Sequence, residues 1–485
     1  MNTLFIYSVD DILTPDTPLR TPAEMQFGIS YISSVLKEAG HSTKLVVLSR
    51  LLGKQNRRTI DRCIKEFKPR MACFTAVSTE YLFVRGIAQY IKEKYPDVFL
   101  LIGGSHVSLN PEEVLEDGFD ALCIGEGEYP ALELVSQMEK GREPSGIANL
   151  WIKNGYGIEK NGPRPFLQNL DDIPFPDRDM WKEWIAGEGD HAPVLLGRGC
   201  PFECTYCCNH ALKKIAEGPY VRFRSTDNIL KEIKSIIARS SAIKDIYLEV
   251  ETIGADKKWA LDLCGKLKDL NSILKEPLSF GVNLRIAPNL DFVDLFVAFQ
   301  SSNVTAVNIG VESGSERVRR DILNRRYSNK DIIDVVTLAR EHNLKVNFYN
   351  LIGVPGETID DFKETLEINR ICRPDTAYAH IFFPYPGTKL HAVCKEKGLL
   401  PKTVNTRLER CAAVLDLPDF SKREIQKGFI WFDYHVYKGY RPMPVILVKV
   451  LVSKCRSNAC LHSVYRKVTY LPIFKWLKSA LKKHS

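Results

Sequence analysis

The sequence predicts an α/β protein: an N-terminal doubly wound parallel sheet, a partial (β/α)6 barrel and a mostly helical C-terminal extension. Three observations predict it. Short apolar runs of strand length alternate with amphipathic stretches, once before residue 140 and again from residue 192. Glycines and carboxylates gather where the predicted strands end. Near residue 400 the alternation stops, and basic and aromatic residues take over. A chain of 485 residues is long enough for two large domains and an extension. Its 45% hydrophobic and 26% charged residues describe a soluble globular protein.

In the first 140 residues, strands are expected at Leu4–Ser8, Lys44–Leu48, Met71–Thr75, Phe99–Gly103 and Ala121–Gly125. Helices fall between them at Phe27–Ala39, Ile60–Phe67, Val84–Lys94 and Glu112–Glu116. In such sheets ligands sit at the carboxyl ends of the strands. Those ends carry Gly103-Gly104-Ser105-His106 and Gly125-Glu126-Gly127-Glu128. Paired glycines let a ligand approach the backbone, although a single pair more often only turns the chain. Residues 141–191, with Asn161-Gly162-Pro163 and Asp171-Asp172-Ile173-Pro174-Phe175-Pro176-Asp177, are turn-rich and read as a connector.

The barrel spans 192–400. Its strands are expected at Val194–Gly197, Ile246–Val250, Ser279–Leu284, Ala306–Val311, Lys345–Ile352 and Tyr378–Phe383. A helix at Asp227–Ala238 has Ser225, Thr226 or Asp227 available as its cap. Active sites of the complete eight-fold barrel collect at the carboxyl ends of its strands. The first strand runs into Gly197-Arg198-Gly199-Cys200-Pro201-Phe202-Glu203-Cys204-Thr205-Tyr206-Cys207-Cys208-Asn209. Cys200, Cys204 and Cys207 have the spacing Cys-x3-Cys-x2-Cys. Three thiolates can hold three irons of a 4Fe–4S cube and leave the fourth open to a substrate. A structural zinc with Cys208 or His210 as fourth ligand is the competing reading of the loop alone. The other cysteines are scattered, which argues for a reducing compartment and against both a disulfide framework and an auxiliary cluster.

The cysteine spacing, with Tyr206 before the third cysteine, resembles the cluster loop of the radical S-adenosylmethionine superfamily. Gly310-Val311-Glu312-Ser313-Gly314, Gly353-Val354-Pro355-Gly356-Glu357-Thr358 and Pro384-Tyr385-Pro386-Gly387-Thr388 resemble its later strand-end motifs in order and spacing. Gln26-Phe27-Gly28 and the two glycine segments resemble the cobalamin-binding domain that precedes many of its barrels. Together the resemblance covers about Thr3 to Leu400.

The resemblance implies a flavodoxin- or Rossmann-like domain at 1–140, a TIM-type radical domain at 192–400, and three cofactors: a 4Fe–4S cluster, S-adenosylmethionine and cobalamin. It implies Cys200, Cys204 and Cys207 as the metal ligands. Glu251, Glu312 and Ser313 are its candidates for the methionine or ribose part of S-adenosylmethionine, and Gly353 for the backbone bordering adenine. Arg285 could pair with a carboxylate or form a surface ion pair. For cobalamin the candidates are Gly103, Gly104, Ser105, His106, Gly125 and Glu126. Asp-x-His-x-x-Gly is absent, so cobalt is expected to lack a lower histidine, unless the domain binds no cobalamin. No catalytic side chain is named.

The implied activity is a cobalamin-dependent radical methyltransferase acting on an unactivated carbon of a small or lipid-type molecule. One S-adenosylmethionine would supply a methyl group, and a second the radical that abstracts hydrogen. An external electron donor such as flavodoxin or ferredoxin is expected. Cyclisation, rearrangement or oxidation with the same cofactors is the alternative, and a non-catalytic cobalamin sensor a further one. A methylthiotransferase would need a second cluster on Cys63, Cys73 and Cys123; Cys73 and Cys123 fall inside apolar strand patterns, where small buried side chains are the default.

Residues 401–485 resemble nothing named. From 421 onward there are 14 Lys and Arg against 2 Asp and Glu, a net +12 that exceeds the whole chain's +8 and leaves the rest at −4. Ten aromatics, from Phe429 through Tyr470, Phe474 and Trp476, interleave with them. A helical cap over the barrel is expected for 401–440, and weak contact with an anionic membrane surface for 441–485; nucleic acid is disfavoured. With no signal peptide and no run of roughly 18 apolar residues, the expected location is cytoplasmic, in part peripheral to the inner face of the membrane.

Overall fold

The computed structural model describes residues 1–468 except 11, 13, 15, 156, 188, 289 and 290. Two compact units divide the chain: residues 1–202 with 208–243, and 203–207 with the chain from 244 onward.

In the first unit, strands β1 (Asn2–Ser8), β2 (Ser42–Leu48), β3 (Met71–Thr75), β4 (Phe99–Gly103) and β5 (Ala121–Cys123) run parallel in the order β2-β1-β3-β4-β5. Helices α1 (Phe27–Glu38), α2 (Lys54–Phe67), α3 (Tyr81–Lys94), the short α4 (Ser105–Leu109) and α5 (Pro111–Leu115), and α6 (Glu128–Glu139) connect and cover them. Strands buried on both faces need continuous apolar runs; Leu4, Phe5 and Ile6 of β1 and Leu100, Leu101 and Ile102 of β4 supply them. The order reverses between β1 and β3, which opens a crevice at the carboxyl edge.

The connector holds more structure than its turn residues suggest. β6 (Leu150–Asn154) and β7 (Gly157–Lys160) add an antiparallel edge beyond β5. Leu150 and Ile152 are buried and Trp151 between them is half-buried, an alternation of period two that three apolar residues in a row conceal. Asp177 accepts a hydrogen bond from Ser33 at 2.6 Å and pairs with Lys37 at 2.7 Å, fixing the connector on α1. β8 (His191–Leu195) follows, then the short antiparallel ribbon of β9 (Gly197–Arg198) with β10 (Arg222–Phe223). The loop between them contains α7 (Asn209–Leu212). Ser225 caps α8 (Thr226–Arg239) by accepting the Asn228 N–H at 3.1 Å.

In the second unit, β11 (Asp245–Glu249), β12 (Ser279–Leu284), β13 (Val304–Glu312), β14 (Lys345–Ile352) and β15 (Thr376–Ile381) are parallel neighbours in chain order. Helices α9 (Lys257–Ile273), α10 (Val293–Ser301), α11 (Asn329–Glu341) and α12 (Ile359–Cys372) connect them, and α13 (Lys389–Glu396) follows β15. Val307, Ile309 and Val311 of β13 are buried, while Asn308, Gly310 and Glu312 alternate with them on the other face. The tail forms α14 (Lys422–Tyr437), α15 (Met443–Arg456) and α16 (Ala459–Val468). Tyr470, Phe474 and Trp476 lie outside the described residues.

α14 is part of the barrel's core. Ile425, Phe429, Phe432 and Val436 share one cluster with Ile352, Phe362 and Ile381. The Tyr437 hydroxyl accepts the N–H of Ala377 on β15 at 2.6 Å. Removing a fully buried ring leaves a cavity as well as losing its transfer energy. Phe432→Ala should therefore destabilise this unit by about 3–5 kcal/mol, read as a lower urea midpoint; an unchanged midpoint would show that the helix is dispensable.

Candidate functional site

The second unit grips the middle of the cysteine loop. Thr205 donates its N–H to Leu323 O at 3.3 Å and its hydroxyl to Ile322 O at 2.6 Å, and its carbonyl accepts the Leu390 N–H at 3.0 Å. Asn324 Nδ2 donates to Glu203 O at 2.9 Å. Cys204 is buried; Cys200, Cys207 and Cys208 are half-buried, and none of the thirteen cysteines is in a disulfide. Arg285, buried just past the end of β12, donates from Nη1 to Cys204 Sγ at 2.6 Å. Its own N–H is held by Thr252 Oγ1 at 3.0 Å. Arg285 is therefore buried beside a cysteine sulfur and not on the surface. Glu251 is exposed on the loop after β11.

The Gly-Val-Glu-Ser-Gly run at the end of β13 has a steric explanation. Glu312 has φ +63°, a strained conformation for a non-glycine residue, at a register shift between β13 and β14. Its carboxylate lies back over Gly310, where a Cβ would stand 2.5 Å from Oε1. Arg325 meets that carboxylate at 3.1 Å and donates to the Tyr206 hydroxyl at 3.0 Å and to Gly310 O. Burial pushes the Tyr206 phenol well up, against the opposing pull of Arg325. A Cβ at Gly314 would meet Glu364 O at 2.2 Å, so only glycine allows α12 so near. Ser313 is fully buried; its Oγ accepts the Ser315 N–H at 3.2 Å and lies 3.3 Å from Thr365 Oγ1.

After β14, Gly353 and Val354 both donate N–H groups to Glu357 Oε2, at 2.5 and 3.1 Å. Capping of α12 falls to Thr358, reciprocated by Asp361. Glu357 is thus a buried clasp of the turn. Burial raises its pKa to about 8, the two N–H groups opposing.

The inner face of β11–β15 carries a polar layer that sequence reasoning missed. Tyr247 donates to Asn283 Oδ1, Asn308 to the Tyr247 hydroxyl at 2.7 Å, and Asn347 to Asn308 at 3.0 Å. Above it Tyr349 stacks on Tyr378, ring centroids 4.9 Å apart, and on His380 at 6.1 Å. Burial, with Arg410 and Arg456 adding to it, lowers the His380 pKa to about 4, so this ring is neutral at physiological pH. The signal was the polar-in, apolar-out alternation of Val-Asn-Ile-Gly-Val-Glu and Val-Asn-Phe-Tyr.

In the first unit a cavity of about 250 Å³ opens where β1, β3, β4 and β5 end. Phe5, Leu101 and Ala131 contribute apolar lining, and Gly103, Gly104, Gly125 and Gly127 backbone. Gly104 has φ +102°, and a Cβ there would stand 2.7 Å from Ala76 O. Glu126 and Glu128 also line the cavity, with Arg198, another residue sequence reasoning missed. Arg198 donates to Glu126 at 2.9 Å and to Glu128 at 2.5 Å, and Arg222 to Glu126 at 2.9 Å. Burial raises the Glu126 pKa, but the two guanidiniums and the Leu167 N–H outweigh it and hold the carboxyl below its usual value.

Ser105 and His106 are outside the lining. His106 is buried against the Tyr81 ring, centroids 4.4 Å apart, 3.2 Å from Ser78 Oγ, and burial lowers its pKa to about 4. His41 lies beside the N-terminal amine and Glu139. Cys63 is on α2, whereas Cys73 and Cys123 line the cavity with thiols pushed up by burial, Cys123 to about 12.

Two family models match the chain: the radical SAM superfamily over residues 194–368 and the B12 binding domain over 24–135. The chain belongs to the cobalamin-binding radical SAM enzymes. An uncharacterized methyltransferase of Pyrococcus horikoshii, PH0819, is 28% identical to this radical SAM enzyme over 427 residues, 87% of this chain and 89% of the relative. The anaerobic magnesium-protoporphyrin IX monomethyl ester cyclase of Rubrivivax gelatinosus is 22% identical over 377 residues, 75% of this chain and 65% of the cyclase. Two solved structures share its fold. The radical S-adenosylmethionine methyltransferase TsrM of Kitasatospora setae has a TM-score of 0.65 at 15% identity, covering 93% of this chain and 90% of that one. The cobalamin-dependent S-adenosylmethionine radical enzyme OxsB has a TM-score of 0.67 at 14% identity, covering 96% and 71%.

The cofactors of this radical SAM enzyme are a 4Fe–4S cluster, S-adenosylmethionine and cobalamin. Its residues fit them. Three thiolate donors on one loop, with Arg285 against the sulfur of the second, suit an anionic iron–sulfur cluster. Among the described residues no three His, Cys, Asp or Glu side chains converge on a single ion; a cube takes its thiolates on separate irons and needs no such convergence. The cavity suits an arm of a large organic cofactor, with apolar walls, glycine at the edge, and no histidine in its lining.

Cys200→Ala, Cys204→Ala and Cys207→Ala should each lose nearly all iron and the charge-transfer absorbance after anaerobic reconstitution, while Cys208→Ala keeps both; iron loss in the last variant would make Cys208 a ligand. For Glu357, the folded state holds a proton that the unfolded chain releases above its own lower pKa, so its contribution to stability is lost as pH rises toward about 8. Glu357→Gln should therefore gain on the wild type by on the order of 1 kcal/mol per pH unit between about pH 5 and 8. Urea unfolding across that range checks it, and a pH-independent difference would refute it.

Proposed function

We propose that this enzyme transfers a methyl group to an unactivated carbon of a small molecule. One observation carries the reading: the same chain has a barrel loop of three cluster cysteines and a glycine-edged cavity suited to cobalamin. The PH0819 methyltransferase, matched over 89% of its length, supports it. The bound groups supply one-electron cleavage of S-adenosylmethionine to a 5′-deoxyadenosyl radical and carriage of a methyl group. An unactivated C–H has no useful acidity, so a general base cannot replace that chemistry.

The chain's own residues bind, orient and exclude water. Cys200, Cys204 and Cys207 hold the cluster, and Arg285 offsets negative charge at Cys204. Glu312 and Ser313 order the strand end facing the ribose and methionine parts of S-adenosylmethionine. Arg325 fixes Glu312 and Tyr206 together, and the Gly353 backbone borders adenine. Glu251 contributes from solvent, as an acceptor for the ammonium. Gly103, Gly104, Gly125 and Glu126 would seat cobalamin, with Glu126 held in place by Arg198 and Arg222. Ser105 and His106 support this edge from behind. The Asn283–Asn308–Asn347 layer and the Tyr349–Tyr378 stack give a neutral, partly aromatic surface for a small substrate. An external one-electron donor such as flavodoxin or ferredoxin reduces the cluster, and residues 441–485 make weak contact with an anionic membrane surface, from which a lipid-type substrate could come.

Cyclisation with the same cofactors is the second reading, favoured by the match to the cyclase. The discriminating experiment needs no substrate. Reconstituted enzyme is incubated with cobalamin, reductant and S-adenosylmethionine carrying a trideuterated methyl group. Methyl transfer predicts 5′-deoxyadenosine together with labelled methyl on cobalamin by mass spectrometry. 5′-Deoxyadenosine without labelled cobalamin would favour cyclisation, and neither product would defeat both readings.

A further inference from the structure

α15 faces two ways. Val445, Ile446 and Val450 enter the core shared with α14. On the opposite side Met443, Leu447, Val448 and Leu451 are 41%, 48%, 41% and 60% exposed. At 100° per residue those four positions fall within a single arc of about 140°. An acid-free helix with large aliphatic side chains turned to water is not explained by the fold, because its packing is complete on the other side.

The charges around the face are positive. Lys438 precedes the helix and Lys454 lies in its last turn; Arg441 and Arg456, also at its ends, are bonded to Asp375 O and to the Cys411 thiol. The nearby acid Asp433 pairs with Lys449 at 3.1 Å. Trp431 on α14 and Leu461 on α16 are also exposed, at 38% and 41%. Aliphatic side chains at the centre, an aromatic, and cations at both ends are what an interfacial helix presents to anionic lipid: the apolar part enters the acyl boundary, and the long basic side chains reach back to the headgroups.

We infer that the exposed face of α15, centred on Leu447 and Leu451, docks this enzyme on an anionic lipid bilayer. A second copy of the chain would meet Lys and Arg with Lys and Arg across a symmetric contact, whereas phosphate headgroups neutralise them. The inference rests on the surface contact proposed for residues 441–485 and assigns it to particular side chains. Docking holds the helix in the plane of the bilayer surface; among the described residues no helix is long and apolar enough to cross a membrane.

The test uses the full chain, reconstituted, in flotation with phosphatidylcholine vesicles and with phosphatidylcholine–phosphatidylglycerol vesicles at low salt. Wild type should float with the anionic vesicles and several-fold less with the neutral ones. The double variant Leu447→Glu, Leu451→Glu should partition at least ten-fold more weakly, with iron content, cobalamin content and circular dichroism unchanged, because both residues point away from the core. Undiminished flotation of the double variant overturns the assignment to α15 while leaving a surface contact elsewhere in the tail. Failure of the wild type to float overturns both. A concentration-dependent dimer broken by the double variant, without vesicle binding, overturns the lipid assignment in favour of a second copy.

Discussion

The buried guanidinium of Arg325 ties together the parts of the barrel that have to act together. It is a full positive charge out of water, tolerable only because Glu312, Tyr206, Tyr327 and the Gly310 carbonyl surround it. A planar, permanently charged fork can serve so many partners at once; a lysine could not. Through it the aromatic residue before the third cysteine is fixed to the acid at the end of β13. Thr205 and Asn324 complete the grip by bonding the loop's backbone to the same stretch of chain. The loop's conformation is thus over-determined before any cofactor is considered, as pre-organised function requires.

A similar arrangement, independent of the first, organises the other unit. Arg198 and Arg222 converge on Glu126, and Arg198 also holds Glu128. Charge pairs buried this far contribute little net stability, because desolvation offsets most of their attraction. They fix geometry: the carboxylates at the cavity edge cannot swing, and the backbone of the Gly125–Gly127 turn is held with them. Phe5, Leu101 and Ala131 complete the apolar wall of the cavity.

The strand–helix alternation was legible in the sequence to within a few residues, as β12 and β14 show, since burial on one or both faces imposes a periodicity that apolar residues report directly. β6 and β7 were not, because three consecutive apolar residues in a stretch that also carries Asn154-Gly155 and Asn161-Gly162-Pro163 look like a loop until the Ala121–Cys123 edge is there to pair with them. The cysteine triplet and the glycine motifs were also readable, as spacing along the chain. The roles of individual charged residues were less so. Glu357 sat inside a readable motif, yet nothing in the sequence marked it as buried and bonded to the Gly353 and Val354 N–H groups while Thr358 and Asp361 cap α12. Arg285 offered a surface pairing, but it is buried with its guanidinium on Cys204.

The sequence by itself determined the order of elements, the glycine-rich strand ends and the three thiolates, for these depend on covalent spacing and on local periodicity. Tertiary structure decided which side chains meet. Tyr206 and Arg325 stand 119 residues apart in the chain and touch because the chain folds β13 and the turn after it onto the loop. Arg198 and Glu126 meet across 72 residues for the same kind of reason. A charged side chain carries no mark of its partner in its own neighbourhood; strand register and helix crossing choose it, and these are properties of the packed chain.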